Sequence, residues 1–200
     1  MALFTHHIPG GSFTCAMPAD RVYLLAFEYP PNNCLSPEFI GAFSLCLTMI
    51  RDRYPSGVVI TTSRIPNFYC SGHIQDEPMI WALFKQILTY PMPTLALING
   101  DAIGHGLLLA LCHDLRIQNN SKLIKLDKAL NPREAIGAGF AQGIGHLKEA
   151  LGIISRLKLL DVGSNPAYWS NKEANNRVAI DVCDRSNEAH SGVEHSLYKL

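Results

Sequence analysis

The groups in this chain best suited to do chemistry are main-chain donors on glycine-rich turns. Thr94 to Gly100 (TLALING) reads as a short apolar strand, the next segment (DAIGHG) carries glycines at 104 and 106, and Leu107 to Cys112 reads as an apolar helix. The first N–H groups of a helix have no partner inside it and lie at the positive end of its dipole, so such a turn favours an anion or a developing oxyanion. Gly104 and Gly106 let the backbone approach a ligand with no Cβ in the way. A second turn, Phe68-Tyr69-Cys70-Ser71-Gly72-His73, also comes soon after an apolar strand. Donors converging from two such turns would stabilise a developing oxyanion. The plain alternative is two tight turns and nothing more, because glycine turns after strands are common.

Other chemical motifs are weaker. Gly137-Ala138-Gly139-Phe140-Ala141-Gln142-Gly143 has the glycine spacing of a dinucleotide turn, but no clear strand precedes it and no acidic residue in a later strand accompanies it. A nucleotide-binding oxidoreductase therefore stands only as a third reading. No G-x-S-x-G elbow, P-loop or H-E-x-x-H is present. His6 and His7 lie near the terminus, where a metal role is not expected. His113-Asp114 reads as a hydrogen-bonded pair or, more simply, as a histidine at the negative end of a helix. The six cysteines (15, 34, 46, 70, 112 and 183) form no CxxC pair and sit mostly in apolar segments, as small buried hydrophobes do.

These turns need an α/β frame. Arg21 to Phe27 reads as a strand ended by Pro30-Pro31-Asn32-Asn33. Ser36 is placed to cap a helix that has Pro37 at its first position and Glu38 in its first turn, with Phe39, Ala42, Phe43, Cys46, Leu47 and Ile50 on the buried face. Val58 to Thr62 predicts a buried strand, Pro66 to Gly72 a turn-rich segment, and Pro78 to Leu88 a second helix. Asp114 to Gln118 and Leu123 to Leu126 predict short strands, and His146 to Leu160 one helix. Strands alternating with helices imply an α/β domain with much parallel sheet. No internal repeat is visible. Residues 1–20 read as an N-terminal extension and 21–163 as the core. Residues 164–200 read as a divergent polar tail whose one strand candidate is Val178 to Val182.

Composition limits the function classes. With 200 residues, 48% hydrophobic and 17% charged, the chain is long enough to bury a core and too apolar to be disordered. Its formal net charge of +0 gives no electrostatic case for nucleic acid or an anionic membrane. The longest apolar run, Gly106 to Cys112, is too short to span a bilayer, and residues 1–12 lack the form of a secretory signal. The ending Tyr198-Lys199-Leu200 shares two positions with the S-K-L peroxisomal address. A peroxisomal or cytoplasmic location is expected.

Several segments taken in order carry a resemblance. Pro31-Asn32-Asn33-Cys34-Leu35-Ser36 precedes the first long helix. Val58-Val59-Ile60-Thr61-Thr62-Ser63 is followed by Phe68-Tyr69-Cys70-Ser71-Gly72-His73-Ile74. Pro91-Met92-Pro93-Thr94 leads through Ile98-Asn99-Gly100 to Gly104-His105-Gly106, and then to Cys112-His113-Asp114-Leu115-Arg116. From about Arg21 to Leu160 the chain thus resembles the crotonase (enoyl-CoA hydratase/isomerase) superfamily. Cys112-His113-Asp114 and Leu126-Asp127 lean toward fungal or peroxisomal delta-3,delta-2-enoyl-CoA isomerases.

The resemblance implies a crotonase-like spiral of ββα units with a shortened C-terminal helical region. It implies an acyl-CoA thioester as substrate, no further cofactor, and a homotrimer, although the polar tail stands where relatives carry pocket-covering helices. The family's oxyanion N–H donors fall on His73 and His105, with Ser71, Gly72, Gly104 and Gly106 shaping the turns. The hydratase glutamates fall on Leu108 and on Lys128 (Ala129 with a one-residue slip), which are not acids. Asp127 and Glu134 are the candidate catalytic acids in their place, with Asp101 in the second turn. Glu134 reads alternatively as an exposed helix-start residue. The implied activity is movement of a proton or double bond on a fatty or polyketide-like acyl chain. The runner-up is a non-catalytic or degenerate acyl-CoA-binding relative that has lost its acid.

Overall fold

In the computed structural model, residues 2–72, 78–119, 124–125, 129–165 and 167–197 are described. The chain opens with strands β1 (Ala2–Ile8), β2 (Gly11–Ala19) and β3 (Val22–Glu28), then helix α1 (Pro37–Arg53). Ser36 caps α1 as its sequence requires, with the Phe39 N–H donating to Ser36 Oγ at 3.2 Å and Pro37 in the first turn. Next come β4 (Val58–Ser63), β5 (Asn67–Gly72) and α2 (Pro78–Leu88), followed by β6 (Thr94–Ile98), β7 (Gly100–Gly104) and α3 (His105–Leu111). Strands β8 (Leu115–Gln118), β9 (Ile124–Lys125) and β10 (Ala129–Leu130) lead to α4 (Pro132–Gly137) and β11 (Gly143–Ile144). Helices α5 (Leu147–Arg156), α6 (Leu159–Gly163), α7 (Ala167–Asn175) and α8 (Arg177–Leu197) follow.

The strands form a seven-stranded sheet, ordered β1-β2-β3-β4-β6-β8-β11, and a four-stranded sheet, ordered β10-β9-β7-β5. Consecutive units repeat one path: β4, β5, α2, then β6, β7, α3. The first strand of each unit joins the large sheet and the second joins the small one, and both pairs, β4 with β6 and β5 with β7, are parallel. This is the expected spiral of ββα units. The repeat invisible in the sequence is geometric, since the two units share a path and not residues.

Alternate residues of the same strands feed two cores. Tyr23, Leu25, Phe27, Val59, Ala96 and Ile98 face the first, and Val22, Val58, Ile60, Leu95, Leu97 and Ile117 face the second, against Ala150 and Ile154 of α5. Burial on both faces is why the parallel strands read as continuous apolar runs. In the first core the rings of Phe13, Phe27, Phe39, Phe43 and Tyr69 pack tilted or edge-to-face with centroids 4.9 to 6.1 Å apart.

Four expectations need correction. Residues 1–20 are no appendage: β1 and β2 extend the large sheet antiparallel to β3, and Phe13 and Cys15 are fully buried. The stretch from Pro66 to Gly72 and the glycine-rich segment from Gly100 are largely strand. At Gly100 a Cβ would lie 1.9 Å from the Asn67 carbonyl carbon, so this glycine serves a strand contact and not a bend. The expected single helix from His146 to Leu160 breaks at Lys158, whose φ of 50° is left-handed. Val178 to Val182 lies in helix α8, where Ile180 and Cys183 are buried three residues apart and the flanking valines are exposed.

The polar tail is therefore helical up to residue 197. Lys85 of α2 pairs with Asp184 of α8 at 2.6 Å, and Asn176 Nδ2 donates to the Leu88 carbonyl at 2.9 Å. Its polar composition reflects one face turned to solvent, and buried contacts hold the other.

Candidate functional site

Strands β5 and β7 run side by side in parallel with Gly72 opposite Gly104, so the two glycine turns found in the sequence end at the same level. Asn33 fixes the approach to this edge. Its Oδ1 accepts from the Tyr29 N–H at 2.7 Å, and its Nδ2 donates to Ser63 Oγ at 2.7 Å and the Tyr69 carbonyl at 2.8 Å. The Leu35 N–H then donates to the Ser71 carbonyl at 3.1 Å, and Ser71 Oγ donates to the Asn32 carbonyl at 3.4 Å. The segment before α1 is thereby tied to the first turn.

Each glycine has its own reason. Gly104 adopts φ 56°, a left-handed conformation that a side chain strains. At Gly106 a Cβ would lie 2.1 Å from the Cys70 carbonyl oxygen, so only glycine lets α3 start against β5. At Gly72 a Cβ would lie 3.0 Å from the His105 Cβ. His105 is the first residue of α3, so its N–H has no acceptor within the helix. Its imidazole lies edge-on to Trp81 at 6.4 Å between centroids, and Nδ1 is buried with no hydrogen-bond partner among the described residues. His73 lies outside the described residues.

One turn along α3, Leu108 stands on the same face as His105. It lines an apolar cavity of about 290 Å³ with Trp81, Phe84, Leu88, Leu111 and Cys112 of the core and Ala179, Val182 and Cys183 of α8. The position implied for one glutamate is thus a greasy wall. Lys128 and Asp127 lie outside the described residues, and Ala129 begins β10. Asp101 stands in β7, opposite Phe68.

Glu134 is an exposed cap. Asn131 Oδ1 accepts from the Arg133 and Glu134 N–H groups, both at 3.0 Å, and Glu134 Oε2 accepts from the Asn131 N–H at 2.8 Å. This is a capping box at the start of α4, the helix-start alternative read from the sequence.

Beside the apolar cavity lies a polar one of about 410 Å³, and both are lined by Leu88, Leu111 and Cys112. Asp114 Oδ2 accepts from Thr94 N–H at 2.7 Å, Thr94 Oγ1 at 2.9 Å, Tyr168 OH at 3.0 Å and Lys172 Nζ at 2.8 Å. The Lys172 side chain is only 2% exposed, and burial pushes its ammonium below the ordinary lysine range while Asp114 opposes that shift. Arg116 is buried, donating from Nε to the Phe140 carbonyl and from Nη1 to those of Leu111 and His113. Lys172 carries no sequence signal, because its partner Asp114 lies far away along the chain.

His113 is not paired with Asp114. Nδ1 lies 2.9 Å from the Leu109 carbonyl and must donate to it, so Nε2, 2.9 Å from Thr61 Oγ1, accepts from that hydroxyl. Burial lowers its pKa to about 4, so the ring is neutral and acts as a hydrogen-bond bridge rather than a charge at the helix end.

The Gly137 to Gly143 segment runs from the last residue of helix α4 into β11, a helix-to-strand link that lacks the strand-to-helix setting of a dinucleotide turn. Among the described residues no cluster of His, Cys, Asp or Glu can hold a metal ion, and no helix is long and apolar enough to cross a membrane.

The family model for enoyl-CoA hydratase/isomerase matches residues 19–130. The mitochondrial enoyl-CoA hydratase domain-containing protein 2 of Mus musculus is 29% identical over 151 residues, covering 66% of this chain and 49% of that protein. The peroxisomal enoyl-CoA delta isomerase 1 of Arabidopsis thaliana is 25% identical over 109 residues, covering 48% of this chain and 45% of that protein. The chain therefore spans about half the length of these curated relatives. The crystal structure of human mitochondrial delta3-delta2-enoyl-CoA isomerase superposes with a TM-score of 0.76 at 18% identity, covering 92% of this chain and 91% of that one. At that identity the likeness establishes the fold. The mitochondrial hydratase-type relative matches more of this chain than the peroxisomal isomerase does, so the leaning toward a fungal or peroxisomal isomerase is not supported. The ending Tyr198-Lys199-Leu200 lies outside the described residues.

Proposed function

The chain belongs to the enoyl-CoA hydratase/isomerase family, and from that premise we propose that it holds an acyl-CoA thioester at the Gly72 and Gly104 turns and moves a proton on its acyl chain. The observation that carries this reading is the level pairing of Gly72 with Gly104 beside an apolar cavity that begins one helical turn from His105. The thioester carbonyl accepts from the His105 N–H and from the N–H of His73, which enters on the family resemblance alone. The enolate formed when a proton leaves the acyl chain keeps its charge on that oxygen, and losing one such donor costs about 100- to 1000-fold in rate in other enzymes. The cavity takes the chain itself.

Leu108 argues against two-acid hydration, so the chemistry is of the isomerase type, in which a single group takes and returns the proton. Among the described residues the best-supported carrier is the imidazole of His105, the side-chain type most often used for proton transfer. Asp127 is the carrier if a carboxylate serves instead. A second reading, a binding relative without turnover, is favoured by Leu108 and by the engagement of Glu134 in a helix cap.

The test is a panel of 2-enoyl- and 3-enoyl-CoA esters, with hydration and double-bond migration read separately, on the wild type and His105→Gln. The variant keeps the main-chain donor and loses the imidazole. Migration without hydration, reduced at least tenfold by His105→Gln with ester binding kept, is the expected result. Silence with every ester, while the esters still raise Tm, selects the binding relative. No turnover and no ester binding would sink both readings.

A further inference from the structure

We propose that the polar cavity between α3, β8 and α7 is a binding site for an organic carboxylate. Its floor is built and buried. Lys172 offers three N–H donors of which one goes to Asp114, and Arg116 lines the wall. Among the described lining residues Arg116 and Lys172 carry two positive charges against the single negative charge of Asp114. The Arg116 bonds reach only neutral carbonyls, and it makes no ion pair among the described residues. His113 is held neutral and adds nothing to the count. A buried excess of one positive charge is costly unless a ligand supplies the counter-charge.

A single carboxylate group balances the count, and a second carboxylate on the same molecule stays in water beyond the rim, whereas a compact phosphate dianion would bring both charges inside. The donor set fits a carboxylate, whose two oxygens accept charge-assisted bonds from ammonium and guanidinium groups. Tyr168 and the carboxamides of Asn171, Asn175 and Asn176 complete the lining, with Asn171 and Asn175 exposed at the rim. The cavity's volume of about 410 Å³ suits a small organic acid and excludes a long one.

Two sources supply this chemistry. The first is the far end of an acyl chain. Leu111 and Cys112 line both cavities, so a terminal carboxylate on a chain laid in the apolar one would be carried to the wall shared with the Lys172 side. This source rests on the acyl-CoA reading above. The second is a free carboxylate entering over the Asn171 and Asn175 rim, which needs no acyl-CoA reading.

Titration calorimetry on the whole chain separates them, with glutaryl-CoA, pentanoyl-CoA and free glutarate as probes. The proteins are the wild type, Lys172→Met and Asn175→Asp, the last adding a negative charge on the exposed rim where folding is undisturbed. Glutaryl-CoA binding at least tenfold tighter than pentanoyl-CoA, with the preference erased in Asn175→Asp and pentanoyl-CoA binding unchanged, assigns the acyl source. Glutarate binding alone, weakened at least tenfold by Asn175→Asp without any preference among the CoA esters, assigns the free source. Equal binding of both esters and no glutarate binding overturns the proposal and leaves the acyl-CoA reading standing. Glutarate binding with neither ester bound keeps the site and sinks the acyl-CoA reading. Lys172→Met repeats each arm from the cavity floor.

Discussion

His113 joins helix α3 to the large sheet, with one ring nitrogen on the Leu109 carbonyl and the other on Thr61. Burial is the first cause of its lowered pKa; Lys172 and Arg116 act in the same direction, and the Leu109 bond and Asp114 oppose it. Between its folded value of about 4 and the ordinary 6.5, the unfolded chain takes up a proton that the folded chain refuses. This stability is therefore full above pH 6.5 and is lost as pH falls toward 4, by at most about 1.4 kcal/mol for each pH unit. Urea unfolding at pH 7 and pH 5 is expected to show the loss in the wild type and a smaller one in His113→Asn; equal losses contradict the assignment. Glu134 teaches the opposite lesson at this scale. Asn131-Pro132-Arg133-Glu134 is itself a capping signature, an Asx residue followed three positions later by Glu, and that local signal describes the side chain better than a place in the reaction does.

Helix α8 decides what the apolar cavity is. Without it Trp81, Phe84 and Leu108 would face solvent; with it, Ala179, Val182 and Cys183 close a wall. Val182 is 41% exposed, so the site tolerates a larger side chain without overpacking the core. Val182→Trp is expected to leave Tm within a few degrees, to weaken hexanoyl-CoA binding at least tenfold, and to spare acetyl-CoA, whose acyl group is too short to reach it. Equal weakening of both esters would place the acyl chain elsewhere. Capped and periodic helices were legible in the sequence: Ser36 and Pro37 set the start of α1, and α2 runs from Pro78 to Leu88 as its pattern predicts. Elements defined by distant partners were not. Strands β5 and β7 look like turns because their glycines answer to other strands, and the valines of α8 mimic a strand because only packing on α2 shows which face is buried.

The described residues form two sheets and their helices around two cores, with Phe13 and Cys15 of β2 inside the first. Phe13, fully buried against Phe27, Phe39 and Phe43, makes that participation measurable. Phe13→Ala is expected to cost about 3–5 kcal/mol of unfolding free energy. A loss under about 1 kcal/mol, the range of a surface substitution, would return residues 1–20 to the status of an appendage. At this scale the sequence by itself determined the α/β class and the parallel strands, because both are written in local order, periodicity and side-chain type. Only the tertiary structure decided that Gly72 stands level with Gly104, that α8 walls the cavity, and that Lys172 meets Asp114. Those facts depend on pairings between residues far apart in the chain, and no local pattern encodes which distant surface an element will bury.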